Sequence, residues 1–233
     1  MKSYSLAYYF IYRFGLRILL TLYLRFRFRF KLRLPVGAKI FVGNHPMVWD
    51  VFSPVVMFRQ DIIHTLIEDQ IWSFPLARLI LSLTNQVKMI RGVESVRSLR
   101  ESLAWLKRGH SLAVAPEGER TSVAEARAAT RGFVWLAAKA RVPLIPLGVW
   151  IAEDDLYLKK VRYHYQGRSY TVDSFFPRFR ARYFLLVGEQ IRLDRYYNGK
   201  HLSPQERQEI ADEVLNIIYQ LKEEAKQICA KSR

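Results

Sequence analysis

The 233-residue chain has one cysteine, Cys229. No disulfide can form within it, which fits a reducing compartment. A lone thiol at the end of a Lys/Glu-rich helical stretch is also a poor candidate nucleophile. His45, His64, His110, His164 and His201 lie far apart without ligand-type spacing, so no metal site is expected. A glycine-rich dinucleotide loop, a P-loop, an internal repeat and a low-complexity linker are all missing. The length suits one domain, or one domain with an appendage. Acidic residues are absent from residues 1–49, which hold nine Lys and Arg out of a net charge of +16.

Such a polycation could meet nucleic acid or an anionic membrane. The company of those charges favours the membrane. Residues 4–24 are mostly large apolar side chains, among them Phe10, Phe14, Ile18, Leu19 and Leu22. A basic, aromatic-rich apolar helix has the character of an interfacial anchor. A helix packed on the protein's own core, its arginines reaching out to water, is a second reading. A membrane span is a third, but Arg13 and Arg17 would each cost about 2.5–3.5 kcal/mol at mid-bilayer. A secretory signal is disfavoured because no small-residue cleavage site follows.

Periodicity organises the rest. Residues 25–34 alternate basic and apolar, which predicts a strand with one cationic and one apolar face. A turn at Pro35-Val36-Gly37 leads to a second strand over 39–43. Helices are expected over 51–58, 70–83 (bent near Pro75), 93–107, 124–140 and 204–229. Strands are expected over 61–67, 86–90, 111–115 and 142–151, with further candidates at 161–165 and 180–187. Gly109 is a helix C-terminal cap, and Ser203-Pro204 is a helix start. The alternation predicts an α/β fold: a single mixed, largely parallel sheet flanked by helices, with an N-terminal amphipathic membrane-associating helix. Residues 1–24 form that helix and residues 25–233 the α/β domain. The tail beyond about residue 155 adds little.

Two loops carry chemistry. Asn44-His45-Pro46-Met47-Val48-Trp49-Asp50 follows the strand at 39–43. An Asp five residues after a His can accept the imidazole N–H, fix the tautomer and leave the other nitrogen free to take a proton. Pro116-Glu117-Gly118-Glu119-Arg120 follows the strand at 111–115. If the two strands are parallel, both loops open into one crevice. Gly118 would let the backbone approach a ligand, and the Arg120 fork suits phosphate. The residues describe a base that activates a hydroxyl beside a phosphate-holding arginine.

Four blocks in order give a family resemblance over residues 25–150. They are His45-x4-Asp50, then Lys88-Met89-Ile90-Arg91, then Pro116-Glu117-Gly118-Glu119-Arg120-Thr121, then Val142-Pro143-Leu144-Ile145-Pro146-Leu147. The set resembles the phospholipid/glycerol acyltransferases, the PlsC-like group that includes 1-acylglycerol-3-phosphate acyltransferases. The resemblance implies that residues 25–233 are an acyltransferase domain, with His45 as general base and Asp50 orienting it. It implies that Glu117, Gly118, Arg120, Arg91 and Thr121 hold the acceptor, with Arg120 and Arg91 on its phosphate. It further implies no cofactor and no metal, with acyl-CoA or acyl-carrier protein as co-substrate. The partners are membrane lipids and the acyl donor, not nucleic acid, and the location is the cytoplasmic face of a membrane. Glu119 stands where the family carries Thr, and it brings a negative charge beside the phosphate site unless it pairs with Arg120. Glu117 has a plainer reading as the ion-pair partner of an arginine, and Arg91 as a solvated strand-end residue. Other readings compete: a non-catalytic lipid-surface module of the same fold, an acyltransferase with a different, non-phosphate acceptor, and a nucleic-acid binder built on the basic strand.

Overall fold

The computed structural model describes residues 8–48, 50, 53–58, 61–90, 95–117, 129–165, 168–194 and 202–231. Its centre is a sheet of seven strands: β1 (Leu24–Phe30), β2 (Ile40–Gly43), β3 (Ile63–Glu68), β4 (Val87–Met89), β5 (Ser111–Val114), β6 (Leu144–Ile151) and β9 (Ala181–Val187). The strands are ordered β1-β9-β6-β2-β5-β3-β4. The run from β6 to β4 is parallel, β9 is antiparallel to β6, and β1 lies parallel to β9. The remaining strands, β7 (Leu156–Tyr165) and β8 (Arg168–Pro177), form a separate antiparallel hairpin. Parallel strands are buried on both faces, which is why β2 and β6 carry almost unbroken apolar runs.

Helices cover both faces of the sheet. On one face lies an N-terminal helix, a wide π-helix (Tyr8–Leu16) continued by α1 (Arg17–Tyr23), together with α2 (Ser53–Met57). Leu20 and Val55 pack there against Phe41 and Ile145. On the other face α4 (Ser95–Lys107), α5 (Gly132–Ala140) and α6 (Pro204–Lys231) cover Ile40, Val42 and Leu112. Consecutive residues of β2 thus feed opposite cores, as the two-residue strand period requires.

The N-terminal helix has apolar residues on both its inner and its outer side. Leu20 is buried in the core while Phe10, Phe14, Ile18 and Leu22 stay exposed, Leu22 to 69%. The core-helix reading therefore holds for one face only. No helix among the described residues is long and apolar enough to cross a membrane.

Several elements differ from expectation. β1 ends at Phe30 rather than 34, because its partner β9 ends at Val187; the Lys31 N–H to Val187 carbonyl bond, 3.0 Å, is the last of the ladder. The helix expected over 70–83 is two pieces, a 3-10 turn (Asp69–Ser73) and α3 (Pro75–Leu83). Pro75 lacks an N–H and forces Phe74 extended, so a new helix starts there instead of a bend. The helix expected over 124–140 begins at Gly132; Thr130 is tied to the Pro116 carbonyl, and residues 124–128 lie outside the described set. Strand β8 was not anticipated.

Where β3 and β5 begin, His64 stacks on Trp105 at 4.1 Å between ring centres, and its Nε2 lies 2.8 Å from His110 Nδ1. Its Nδ1–H donates to the Asn85 carbonyl at 2.7 Å. Burial dominates and lowers the His64 pKa from 6.5 to about 4; the Asn85 bond opposes the shift, while His110 and Arg108 add to it. An unfolded chain takes up this proton near its ordinary pKa and the folded chain only near 4. Between these values the unfolded state holds more protons, so stability falls as pH drops through the window, by about 3 kcal/mol. Denaturant midpoints measured from about pH 7 down to 4 should fall more steeply for the native chain than for His64→Gln.

Candidate active site

β2 and β5 are parallel neighbours, with Ile40 opposite Leu112 and Val42 opposite Val114. Their carboxyl ends therefore deliver His45 and Glu117 side by side, as the sequence predicts. The loop after β2 is held by Asn44. Its side chain donates to the Val149 carbonyl at 2.9 Å and accepts the Val149 N–H at 2.7 Å. A side-chain amide thus continues the β2–β6 pairing by one rung, and the turn at Pro46 begins from a fixed point.

His45 and Asp50 meet directly. The Nδ1–H of His45 donates to one Asp50 carboxylate oxygen, and the Met47 N–H donates to the other at 2.8 Å. The Ser53 hydroxyl donates to the Asp50 carbonyl at 2.6 Å, tying the start of α2 to the same residue. Asp50 is buried, and the His45 side chain is 16% exposed. Among the described residues His45 Nε2 makes no hydrogen bond, so one ring nitrogen is committed and the other is open. Tyr183 of β9 lies buried beside this pair. Its hydroxyl makes no hydrogen bond of regular geometry, though the Ser53 hydroxyl is close by. Burial, and then the Asp50 charge, push its pKa well above the ordinary value, so it stays a neutral phenol.

Glu117 takes a part that the sequence reading missed. Only 4% exposed, its carboxylate accepts the His45 backbone N–H at 3.3 Å on one oxygen and the Tyr219 hydroxyl on the other. It joins the β5 loop, the β2 loop and α6. Tyr219 lies in the tail from which little was expected. The local reason for its arrival is close packing of α6 on the sheet. A side chain at Gly148 of β6 would collide with the backbone of Leu221 and Lys222. One at Gly188 would come within 2.7 Å of the Leu221 side chain and 2.9 Å of Pro146. Two glycines in strand-type sequence mark a close backbone approach.

The structure thus brings His45, Asp50 and Glu117 together. Gly118, Glu119, Arg120 and Thr121 lie outside the described residues, as does Arg91. β4, which leads to Arg91, runs parallel to β3 and so points to the same end of the sheet as His45. A crevice of about 500 Å³ opens beside Glu117, lined by Asn44, Pro46 and Tyr219 and by Lys222 and Lys226 of α6. No cluster of three His, Cys, Asp or Glu side chains among the described residues is placed to hold a metal ion. The site offers an imidazole with one open ring nitrogen, a carboxylate that orients it and a buried clamp.

The clamp is testable. Tyr219→Phe removes one donor from a buried carboxylate, which costs about 1–3 kcal/mol. Its denaturant midpoint should fall accordingly, whereas a removal of bulk alone would leave Phe nearly neutral.

Comparisons with known proteins bear on the family and the fold. A family model described as Acyltransferase matches residues 25–150. The chain is 26% identical over 111 residues to a 1-acyl-sn-glycerol-3-phosphate acyltransferase of Cocos nucifera, an overlap of 46% of this chain and 36% of that protein. The match therefore spans about a third of the length of that relative. Among solved structures, the 1-acyl-sn-glycerophosphate (LPA) acyltransferase PlsC of Thermotoga maritima superposes with a TM-score of 0.62. The superposition covers 93% of this chain and 77% of that one at 21% identity, which shows a shared fold.

Proposed function

The chain belongs to the acyltransferase family, and from that footing we propose that it moves a fatty acyl group from an acyl thioester to a glycerolipid hydroxyl. The donor is acyl-CoA or acyl-carrier protein, a co-substrate and not a resident cofactor. The acceptor is a lysophospholipid or glycerol phosphate, foremost 1-acyl-glycerol 3-phosphate, whose acylation gives phosphatidic acid.

One observation carries this reading: His45 gives its Nδ1–H to Asp50 and keeps Nε2 open at the carboxyl edge of the sheet. Nε2 takes the proton of the acceptor hydroxyl as that oxygen attacks the thioester carbonyl. The C–S bond then breaks, the thiolate leaves, and the proton passes from the imidazolium to the sulfur. An ester and a free thiol result. Asp50 fixes the tautomer and steadies the imidazolium. A positioned base supplies about 10²- to 10⁴-fold in rate, and alignment of the two substrates up to about 7–11 kcal/mol. Glu117 acts on the base's backbone, while Arg120 and Arg91 take the acceptor phosphate, and Gly118 and Thr121 help to hold the acceptor.

Membrane lipid is the second partner. The helix that exposes Phe10, Phe14, Ile18 and Leu22 packs on its inner side with Val55 and Phe58, just after Asp50 in the chain. A bilayer against its outer side would lie beside the catalytic loop, on the cytoplasmic face of the membrane, and acyl chains could enter without crossing water. A nucleic-acid role for the basic strand is weaker, since Lys31 just past β1 pairs with Glu224 of α6 at 2.5 Å.

The test is thiol release and ester formation from labelled acyl-CoA and acyl-carrier protein with 1-acylglycerol 3-phosphate, glycerol 3-phosphate and lysophospholipids. His45→Ala should lose at least about a hundredfold in turnover with unfolding temperature unchanged. Full activity in that variant would contradict the assigned base. No transfer to any acceptor from either donor would contradict the enzyme reading itself.

A further inference from the structure

The turn Arg178-Phe179-Arg180 joins β8 to β9, outside the segment that matches the family model. All three side chains are exposed, and Phe179 is 68% exposed. An aromatic ring offered to water between two guanidinium groups is unusual for a tight turn. The turn is rigidly built. Arg178 N–H bonds to the Asp155 carbonyl at 2.7 Å and Ala181 N–H to the Arg178 carbonyl at 3.1 Å. Arg180 occupies the left-handed region, with φ of 61°, a conformation that disfavours a long side chain.

The turn is also fastened to α1. Arg180 N–H donates to the Tyr23 carbonyl at 2.6 Å, and the Tyr23 hydroxyl donates to the Pro177 carbonyl at 3.2 Å. The Phe179 ring meets the Tyr23 ring edge-on at 5.7 Å. Phe179 therefore stands at the last residue of α1, a helix on which Ile18, Leu19 and Leu22 are exposed. Arg178 lies 6.0 Å over the ring of Tyr157, itself partly exposed on β7. The nearby carboxylate of Asp155 is occupied by Arg182 at 2.7 Å, and Glu153 and Asp154 line the crevice with Lys222 and Lys226. Neither arginine of the turn is neutralised by a bond to Asp155.

We infer that Arg178-Phe179-Arg180 is a second lipid contact, in which Phe179 enters the interface of an anionic bilayer while the two guanidinium groups meet headgroup phosphates. The inference rests on the lipid-surface reading of the N-terminal helix. Apolar area and positive charge act together in interfacial binding, and the turn presents both beside α1. With two footings instead of one, rotation about the helix axis is blocked and the carboxyl edge of the sheet is held at a fixed tilt to the lipid.

The experiment is flotation of the full chain with vesicles of phosphatidylcholine, alone and mixed with phosphatidylglycerol. Phe179→Ser should lower partitioning about tenfold on both. Phe179→Trp should match or exceed the native chain. Arg178→Gln and Arg180→Asn should each lower partitioning about fivefold, on the anionic vesicles alone. Turnover on a short-chain soluble acceptor should stay native in all four variants. If Leu22→Ser weakens flotation and Phe179→Ser does not, the turn is no lipid contact, though the reading of the helix stands. If the native chain floats with neither vesicle, the lipid-surface reading falls and takes the turn with it. If Phe179→Ser impairs turnover only with acyl-carrier protein as donor, and flotation is native, the turn is a protein contact and the inference is overturned.

Discussion

A buried carboxylate, Glu117, holds the site together. It receives a backbone N–H from His45 and a hydroxyl from a helix about a hundred residues further on in the chain. Such a group is costly to bury unless its oxygens find donors. The cost is offset only when the β2 loop, the β5 loop and α6 are all in place. The geometry of His45 is thereby coupled to packing of the whole parallel core. The glycines at 148 and 188 belong to the same constraint, because α6 reaches Glu117 only where the strand beneath has no side chain.

Asp50 is the second buried carboxylate, and it is satisfied locally. One oxygen takes the imidazole N–H and the other the Met47 N–H, so the loop closes on its own side chain. The division of labour is physical: Asp50 sets the ring's tautomer and Glu117 sets the position of the backbone beneath it. An ion pair between buried Lys39 and half-buried Asp61, 2.6 Å, lies at the opposite end of β2, remote from the site. Buried ion pairs of this type add little net stability but are damaging to break, which fits a structural part for this one.

Much of the fold is legible in the sequence, because strand and helix periods in the family-matched segment agree with its packing. Ile40-Phe41-Val42 and the apolar run from Leu144 can only be buried strands, and His45 and Asp50 follow from the first of them. Glu117 was legible as a site residue but not in its role, since its partners are a backbone N–H and a tyrosine that no local pattern connects to it. Tyr219 was missed because a polar helix with an amphipathic stripe says nothing of which strand it will cover. Gly148 and Gly188 were the available signal, glycines inside apolar strand sequence. β8 was missed because only its second half is covered: residues 169–171 and Asp173 are exposed, whereas Ser174 is buried and Phe175 packs on the core, so no single period runs through it. Pro75 was read as a bend, where the backbone restriction on Phe74 makes it a boundary.

The N-terminal helix puts its inner side in the core and leaves apolar residues exposed on its outer side. The central claim concerns the base: Asp50 fixes the His45 ring with its proton on Nδ1, so that Nε2 is free. Nitrogen NMR of the neutral His45 imidazole in the full chain tests it most directly. The account predicts a protonated Nδ1 and a bare Nε2, with the tautomer balance disturbed in Asp50→Asn. A proton found on Nε2, or a spectrum indifferent to Asp50→Asn, would contradict it.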